Sequence, residues 1–194
     1  ADAVARAAEL LMSSKKPMIV SGGGVRYSDA GEAVLALAEE FGIPVAETQA
    51  GKGEISCESD WYLGCAGICG TLSANAVAKQ ADLILAIGTK LNDFVTNSKN
   101  GFAADARFVS INTSRMDALK LEAESVVSDA REGVEALHAA LQARGWHTGW
   151  SNEVPDAKRL WQTELERLTQ LESPEAEVLN QTRVLMELNE LLRE

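Results

Sequence analysis

The sequence predicts an α/β fold, a parallel sheet of about six strands with helices on both faces. Three observations predict it. Short apolar runs alternate with stretches of helical periodicity along most of the chain. The run Leu83-Ile-Leu-Ala-Ile87 is apolar without alternation, the mark of a strand buried on both faces, and such strands belong to parallel sheets. Finally, 194 residues with 46% hydrophobic and 24% charged side chains suffice for a real core with a small appendage.

The elements follow in order. Residues 1–14 are amphipathic, and Met18–Ser21 reads as the first strand, opened by Pro17 and closed by Gly22-Gly-Gly24. Ser28 and Asp29 are placed to cap the next helix, whose apolar stripe is Val34, Leu37, Ala38 and Phe41 and whose end is Gly42. Ile43–Glu47 is the second strand. From Thr48 to Thr71 the chain is rich in loop residues, with a short strand expected at Trp61–Leu63. Leu72–Gln80 reads as a helix, Asp82–Gly88 as the clearest strand, and Arg107–Asn112 and Ser125–Val127 as two more. Asp129 with Glu132 three residues on has the form of a capping box before a helix with the stripe Val134, Leu137 and Leu141. After Gly145 the composition changes. A tryptophan-rich link, Trp146-His-Thr-Gly-Trp150, leads to a helix through Leu160, Trp161, Leu165, Leu168 and Leu171, stopped by Ser173-Pro174. Val184, Leu185, Leu188 and Leu191 mark a last helix that reaches Glu194 with no strand after it, the pattern expected of a piece of a larger protein.

A net charge of −11 argues against nucleic acid, whose phosphates demand a basic surface. No apolar run approaches the roughly 18 residues of a membrane span, and the chain opens with no signal-peptide pattern. Cys57, Cys65 and Cys69 are odd in number and lack paired spacing, which points to reduced thiols in a cytoplasmic protein.

The motifs are suggestive but incomplete. Ala50-Gly51-Lys52-Gly53 after a strand invites a phosphate-loop reading. That motif needs a glycine five residues before Gly51 and Ser or Thr after the lysine; Ala46 and Gly53 stand there instead, and the reading fails. Gly22 and Gly24 satisfy the first two positions of the dinucleotide fingerprint, but Tyr27 stands at the third. Glu47 ends the second strand, where an acid can meet a ribose. Gly64, Gly67 and Gly70 form a second cluster before a helix, a setting that favours either anions or close domain packing. No nucleophile has a histidine close in sequence. His138 lies opposite the apolar stripe of its helix, in a position expected to be solvated. Together these motifs describe a Rossmann-like domain without a self-sufficient active site. Its candidate ligand-facing or interdomain residues are Gly23, Gly24, Gly51, Lys52, Gly53 and Gly70.

Four segments taken in order carry a resemblance: Lys16–Gly24, Gly42–Gly53, Leu63–Thr71 and Ala81–Phe94. The series resembles the central domain of thiamine diphosphate-dependent enzymes of the acetolactate synthase and pyruvate oxidase group, over about residues 1–145. Within the group, Glu47–Gly53 and Asp93–Thr96 are most similar to the trihydroxycyclohexane-dione hydrolases of myo-inositol catabolism, as are Gly149-Trp150 and Asn180–Val184.

The resemblance implies a division into a central domain, 1–145, and a helical linker with the start of a truncated cofactor-binding domain, 146–194. It implies a three-domain hydrolase parent that opens a cyclic diketone and works as a homo-oligomer. In such enzymes the first domain supplies an activating glutamate and the third holds thiamine diphosphate through magnesium with a Gly-Asp-Gly motif. No Gly-Asp-Gly occurs here. The segment alone is therefore expected to bind neither cofactor nor metal and to be inactive, with the missing N- and C-terminal domains as its partners. Where acetolactate synthases carry an arginine this sequence has Phe94, so tightly held FAD is not expected. Two alternatives remain at this point: a piece of an acetolactate-synthase-like carboligase, and a stand-alone nucleotide-binding module.

Overall fold

The computed structural model describes residues 2–171 and 179–192. The expected stop at Ser173-Pro174 and the chain end at Glu194 lie outside them.

Six strands form one parallel sheet: β1 (Pro17–Ser21), β2 (Val45–Glu47), β3 (Tyr62–Cys65), β4 (Leu83–Ile87), β5 (Arg107–Asn112) and β6 (Glu124–Val127). Their order across the sheet is β3-β2-β1-β4-β5-β6, and every neighbouring pair runs parallel. The chain builds outward from β1 to β3, then returns to β1's other side and builds outward again. The crevice at that reversal, beyond the carboxyl ends of β1 and β4, is where open α/β sheets place ligands.

Alternation along the strands sorts the core into two layers. Ile19, Leu83, Leu85, Ile87, Val109 and Ile111 face α1 (Asp2–Met12), α3 (Gly31–Phe41) and α7 (Ala130–Gln142), meeting Leu11, Leu37, Phe41, Val134, Leu137 and Leu141. Met18, Val20, Ala46, Ile84 and Ala86 face the other way, toward Ala74 and Val77 of α4 (Leu72–Ala78). That second layer also includes Trp150, Val154 and Ala157, so the start of α8 (Glu153–Thr169) packs on the sheet domain beside α4. The tryptophan-rich link is tied down by hydrogen bonds. The Gly149 N–H donates to the Lys15 carbonyl (2.6 Å) and the Trp150 indole donates to the Pro17 carbonyl (2.7 Å). None of the residues of α9 (Gln181–Leu191) is buried. Asn180 caps that helix, accepting from Thr182 and Arg183, and its amide donates to the Leu168 and Leu171 carbonyls at the end of α8.

Local expectations give way to tertiary partners in three places. Gly22–Tyr27 is not a plain turn, because Gly23–Tyr27 winds into a short helix, α2. Ser28 and Asp29 do not cap α3, which starts after Ala30 without a side-chain cap. The Ser28 hydroxyl donates to Asp129 (2.5 Å) and Asp29 pairs with Arg131 (2.9 Å), joining the α2–α3 turn to α7. Asp129 caps α7 through the Arg131 N–H, and its carboxyl is held below the usual range, chiefly by the Ser28 hydroxyl. His138 is not simply solvated: its Nε2 lies 2.6 Å from Glu40 and its ring meets Phe41 edge-on. An exposed-looking helix position becomes half-covered because α3 packs alongside α7.

Candidate functional site

All the candidate residues collect at the carboxyl edge of the sheet, over β1, β2 and β3. They serve different ends there.

Gly22, Gly23 and Gly24 link β1 to α2. The Gly22 N–H donates to the Ile87 carbonyl (2.8 Å) and the Gly24 N–H to the Gly88 carbonyl (2.9 Å). A Cβ on Gly24 would stand 2.7 Å from the Gly88 Cα, so the glycine allows two backbones to touch at the point where the sheet order reverses. Gly23 and Gly24 nonetheless form one wall of a cleft of about 660 Å³ at the same place. Opposite them stand Thr89, Lys90 and Asn92 between β4 and the short helix α5 (Asp93–Thr96), and Asn112 at the end of β5 with Ser114 and Asp117 at the start of the short helix α6 (Arg115–Ala118). Asn112, Ser114 and Asp117 went unread in the sequence because their segment shares no motif with the glycines or with the run that ends at Phe94. Lys120 braces this wall, donating to the Lys90 carbonyl (2.8 Å) and pairing with Asp117 (2.8 Å). The Asp117 carboxyl is accordingly held below its usual range, first by the Lys120 hydrogen bond.

The Gly51-Lys52-Gly53 segment is built around Glu47. This carboxylate is fully buried at the end of β2. It accepts the N–H groups of Gly53 (3.1 Å), Glu54 (2.9 Å) and Ile55 (3.0 Å) and the Tyr62 hydroxyl (2.9 Å). A buried charge survives when its lone pairs are used in this way. Glu47 is thus fully engaged with its own loop and buried from any ribose at the strand end. Burial, then the Glu47 charge and hydrogen bond, push the Tyr62 phenol far above its usual range, so it stays protonated and donating. From outside, Arg26 donates to the Lys52 carbonyl (2.8 Å) and pairs with Glu54 (2.7 Å). Gly51 is buried against β1, where a Cβ would stand 2.8 Å from the Ser21 carbonyl oxygen. The loop backbone is held from both sides, and Lys52 is exposed on it.

Lys52 lines a second cleft, of about 620 Å³. Its other walls are Tyr62, Cys65, Cys69 and Thr71, with Trp161 of α8 and Leu185 of α9 closing the far side. Gln49 and Phe94 stand on the ridge between the two clefts. Gly70 backs this second cleft from the loop after β3, its N–H donating to the Gly67 carbonyl (2.9 Å). Phe94 is partly exposed at the ridge and brings no cation to either cleft.

Among the described residues no cluster of three or more His, Cys, Asp or Glu side chains is placed to hold a metal ion. No helix among them is long and apolar enough to cross a membrane.

Comparison with known proteins gives these observations a family. The model of the thiamine pyrophosphate enzyme central domain matches residues 4–137, and the chain belongs to that family. Among curated proteins it is 42% identical over 170 residues to a 3D-(3,5/4)-trihydroxycyclohexane-1,2-dione hydrolase of Clostridium perfringens, covering 87% of this chain and 27% of the relative. It is 48% identical over 167 residues to the enzyme of that name from Geobacillus thermodenitrificans (86% and 26%). The Bacillus subtilis enzyme of that name is 46% identical over 166 residues (85% and 26%). The matched stretch thus spans only 26–27% of the length of these relatives.

Proposed function

We propose that this member of the central-domain family is the non-catalytic middle of a thiamine diphosphate-dependent carbon–carbon hydrolase that opens a trihydroxycyclohexane-dione ring in inositol catabolism. The observation that supports it most is the central-domain match over residues 4–137, in a chain spanning about a quarter of hydrolase relatives. In this reading thiamine diphosphate and magnesium belong to the flanking domains, and no tightly held FAD is part of the protein. The cytoplasmic parent is a homo-oligomer, and residues 146–194 lead into its cofactor-binding domain.

This chain's part is scaffolding at the active-site rim. Buried Glu47 and surface Arg26 hold the Gly51–Gly53 backbone from two sides, and Lys52 presents a fixed cation to the substrate's oxygens or to an acid of a neighbouring domain. The exposed apolar side chains of α9, including Leu185 and Leu188, fit a helix that packs against further domains.

The test is ring opening of 3D-(3,5/4)-trihydroxycyclohexane-1,2-dione. The full-length polypeptide with thiamine diphosphate and magnesium is expected to be active, and residues 1–194 alone inactive. A full-length protein that leaves the dione intact but condenses 2-ketoacids would transfer the reading to the carboligases. Lys52→Ala in the full-length enzyme is expected to lower kcat/KM about tenfold or more, roughly 1.4 kcal/mol, without loss of folding. Unchanged turnover in that variant would remove Lys52 from the rim.

A further inference from the structure

We propose that Cys65 and Cys69 form an oxidisable dithiol, at which a small-molecule disulfide closes an intramolecular Cys65–Cys69 bond. The inference is independent of the reaction assigned above. Both residues line the Lys52 cleft. Cys65 is half-buried at the end of β3 and Cys69 is exposed in the loop beyond it.

The loop doubles back on the strand end. The Thr71 N–H donates to the Cys65 carbonyl (2.9 Å), and a Cβ on Gly70 would lie 2.7 Å from that same carbonyl oxygen. Gly70 directly follows Cys69 in the chain, and successive Cα atoms are about 3.8 Å apart. Cys69 is therefore held beside Cys65 although three residues separate them. A disulfide needs Cβ atoms about 3.5–4.5 Å apart. Gly64, Gly67 and Gly70 flank the two cysteines, and their lack of side chains lets the loop fold tightly back onto the strand end, against Thr71, Phe94 and the Cys65 carbonyl. Cys57 lies before β3, in another loop, and has no place in this turn.

The environments divide the labour. Burial pushes the Cys65 thiol up, and the Lys52 ammonium acts against that rise. Cys69, in the open, meets the oxidant first. Its thiolate attacks one sulfur of glutathione disulfide, forming a Cys69–glutathione mixed disulfide and releasing one glutathione. Cys65 then gives its proton to solvent, attacks the Cys69 sulfur and expels the second glutathione. Two protein thiols are oxidised and one glutathione disulfide is reduced to two glutathiones.

The experiment uses the full-length polypeptide, reduced and then exposed to glutathione disulfide. Free thiols are alkylated, and the protein is cleaved after lysine, glutamate and aspartate. Cuts at Glu58 and Asp60 separate Cys57 from the peptide Trp61–Lys79, which holds both Cys65 and Cys69. That peptide is expected to be lighter by two hydrogens, to carry neither alkyl group nor glutathione, and to revert with dithiothreitol. Cys57→Ser should leave this outcome unchanged, while Cys65→Ser should stop at a glutathione adduct on Cys69. A wild-type protein that keeps glutathione on Cys69, that bridges through Cys57, or whose Cys65 and Cys69 are both alkylated would overturn the proposal.

Discussion

The two glycine loops over β1 and β2 look alike in sequence and differ in construction. In Gly22–Gly24 the glycines are used by the fold itself, because the turn lies directly on the Gly88 backbone and its N–H groups bond to Ile87 and Gly88. In Gly51–Gly53 the decisive residue is not a glycine. Glu47, buried beneath the loop, gathers three backbone N–H groups and a phenol and leaves Lys52 facing outward. A glycine cluster after a strand therefore says only that backbones come close. What they approach is decided by partners far away in sequence.

Four substitutions probe this contrast, from the largest expected effect to the smallest, each read by urea unfolding followed through tryptophan fluorescence. Glu47→Ala strands the N–H groups of Gly53, Glu54 and Ile55 and the Tyr62 hydroxyl, and is expected to cost about 3–5 kcal/mol. A loss below about 1 kcal/mol would mean that water replaces the carboxylate and that the loop is not held by it. Gly24→Ala forces a methyl group against the Gly88 backbone and should cost about 1–3 kcal/mol. Tyr62→Phe removes one of Glu47's donors at a half-buried site and should cost about 1 kcal/mol. Lys52→Ala, at the exposed tip, should change stability by less than about 0.5 kcal/mol. If Lys52→Ala proved as destabilising as Gly24→Ala, the lysine would belong to the fold and the contrast between the loops would fail.

A pH titration sharpens the picture where the link meets the sheet. Lys16 pairs with Glu153 at 2.6 Å, and its ammonium lies 5.2 Å from the centre of the Trp150 ring. That pairing first, with hydrogen bonds at the start of α8, draws the Glu153 carboxyl down to about 2. A depressed carboxylate stabilises the fold above its unfolded value and loses that effect as pH falls through the folded one. Docking of α8 should thus persist below the ordinary carboxylate range and weaken as pH approaches 2. Trp150 fluorescence reports it, and Glu153→Gln should flatten the transition.

Legibility followed the range of the interactions. The strands at Met18–Ser21, Leu83–Ile87 and Arg107–Asn112 were readable because each apolar run carries its own burial signal. Gly42 was readable as the end of α3 because the left-handed conformation it adopts there is a local preference. Ser28 and Asp29 misled because a cap is worth only about 1 kcal/mol, and Asp129 and Arg131, a hundred residues away, offered them other bonds. Within the site, Lys52 and its glycines were visible as a motif. Glu47 was noticed and given the wrong partner, since an acid at a strand end serves a ribose or a loop equally well until the loop's path is known. Arg26 and Tyr62 carried no signal at all.

By itself, then, the sequence determined the layered α/β plan, the places of the strands and of the longer helices, and, through the order of its motifs, the family. These depend on periodicity and on residue types set within a few positions of one another, which the linear chain records directly. Only the tertiary structure decided that Glu47 holds the Lys52 loop, that Gly24 rests on Gly88, that Trp150 fastens α8 to β1, and that Cys65 and Cys69 line the same cleft as Lys52. Each of these depends on which segments the crossovers and loops bring together, and on the strong preference of buried polar groups for whichever partner lies within about 3 Å.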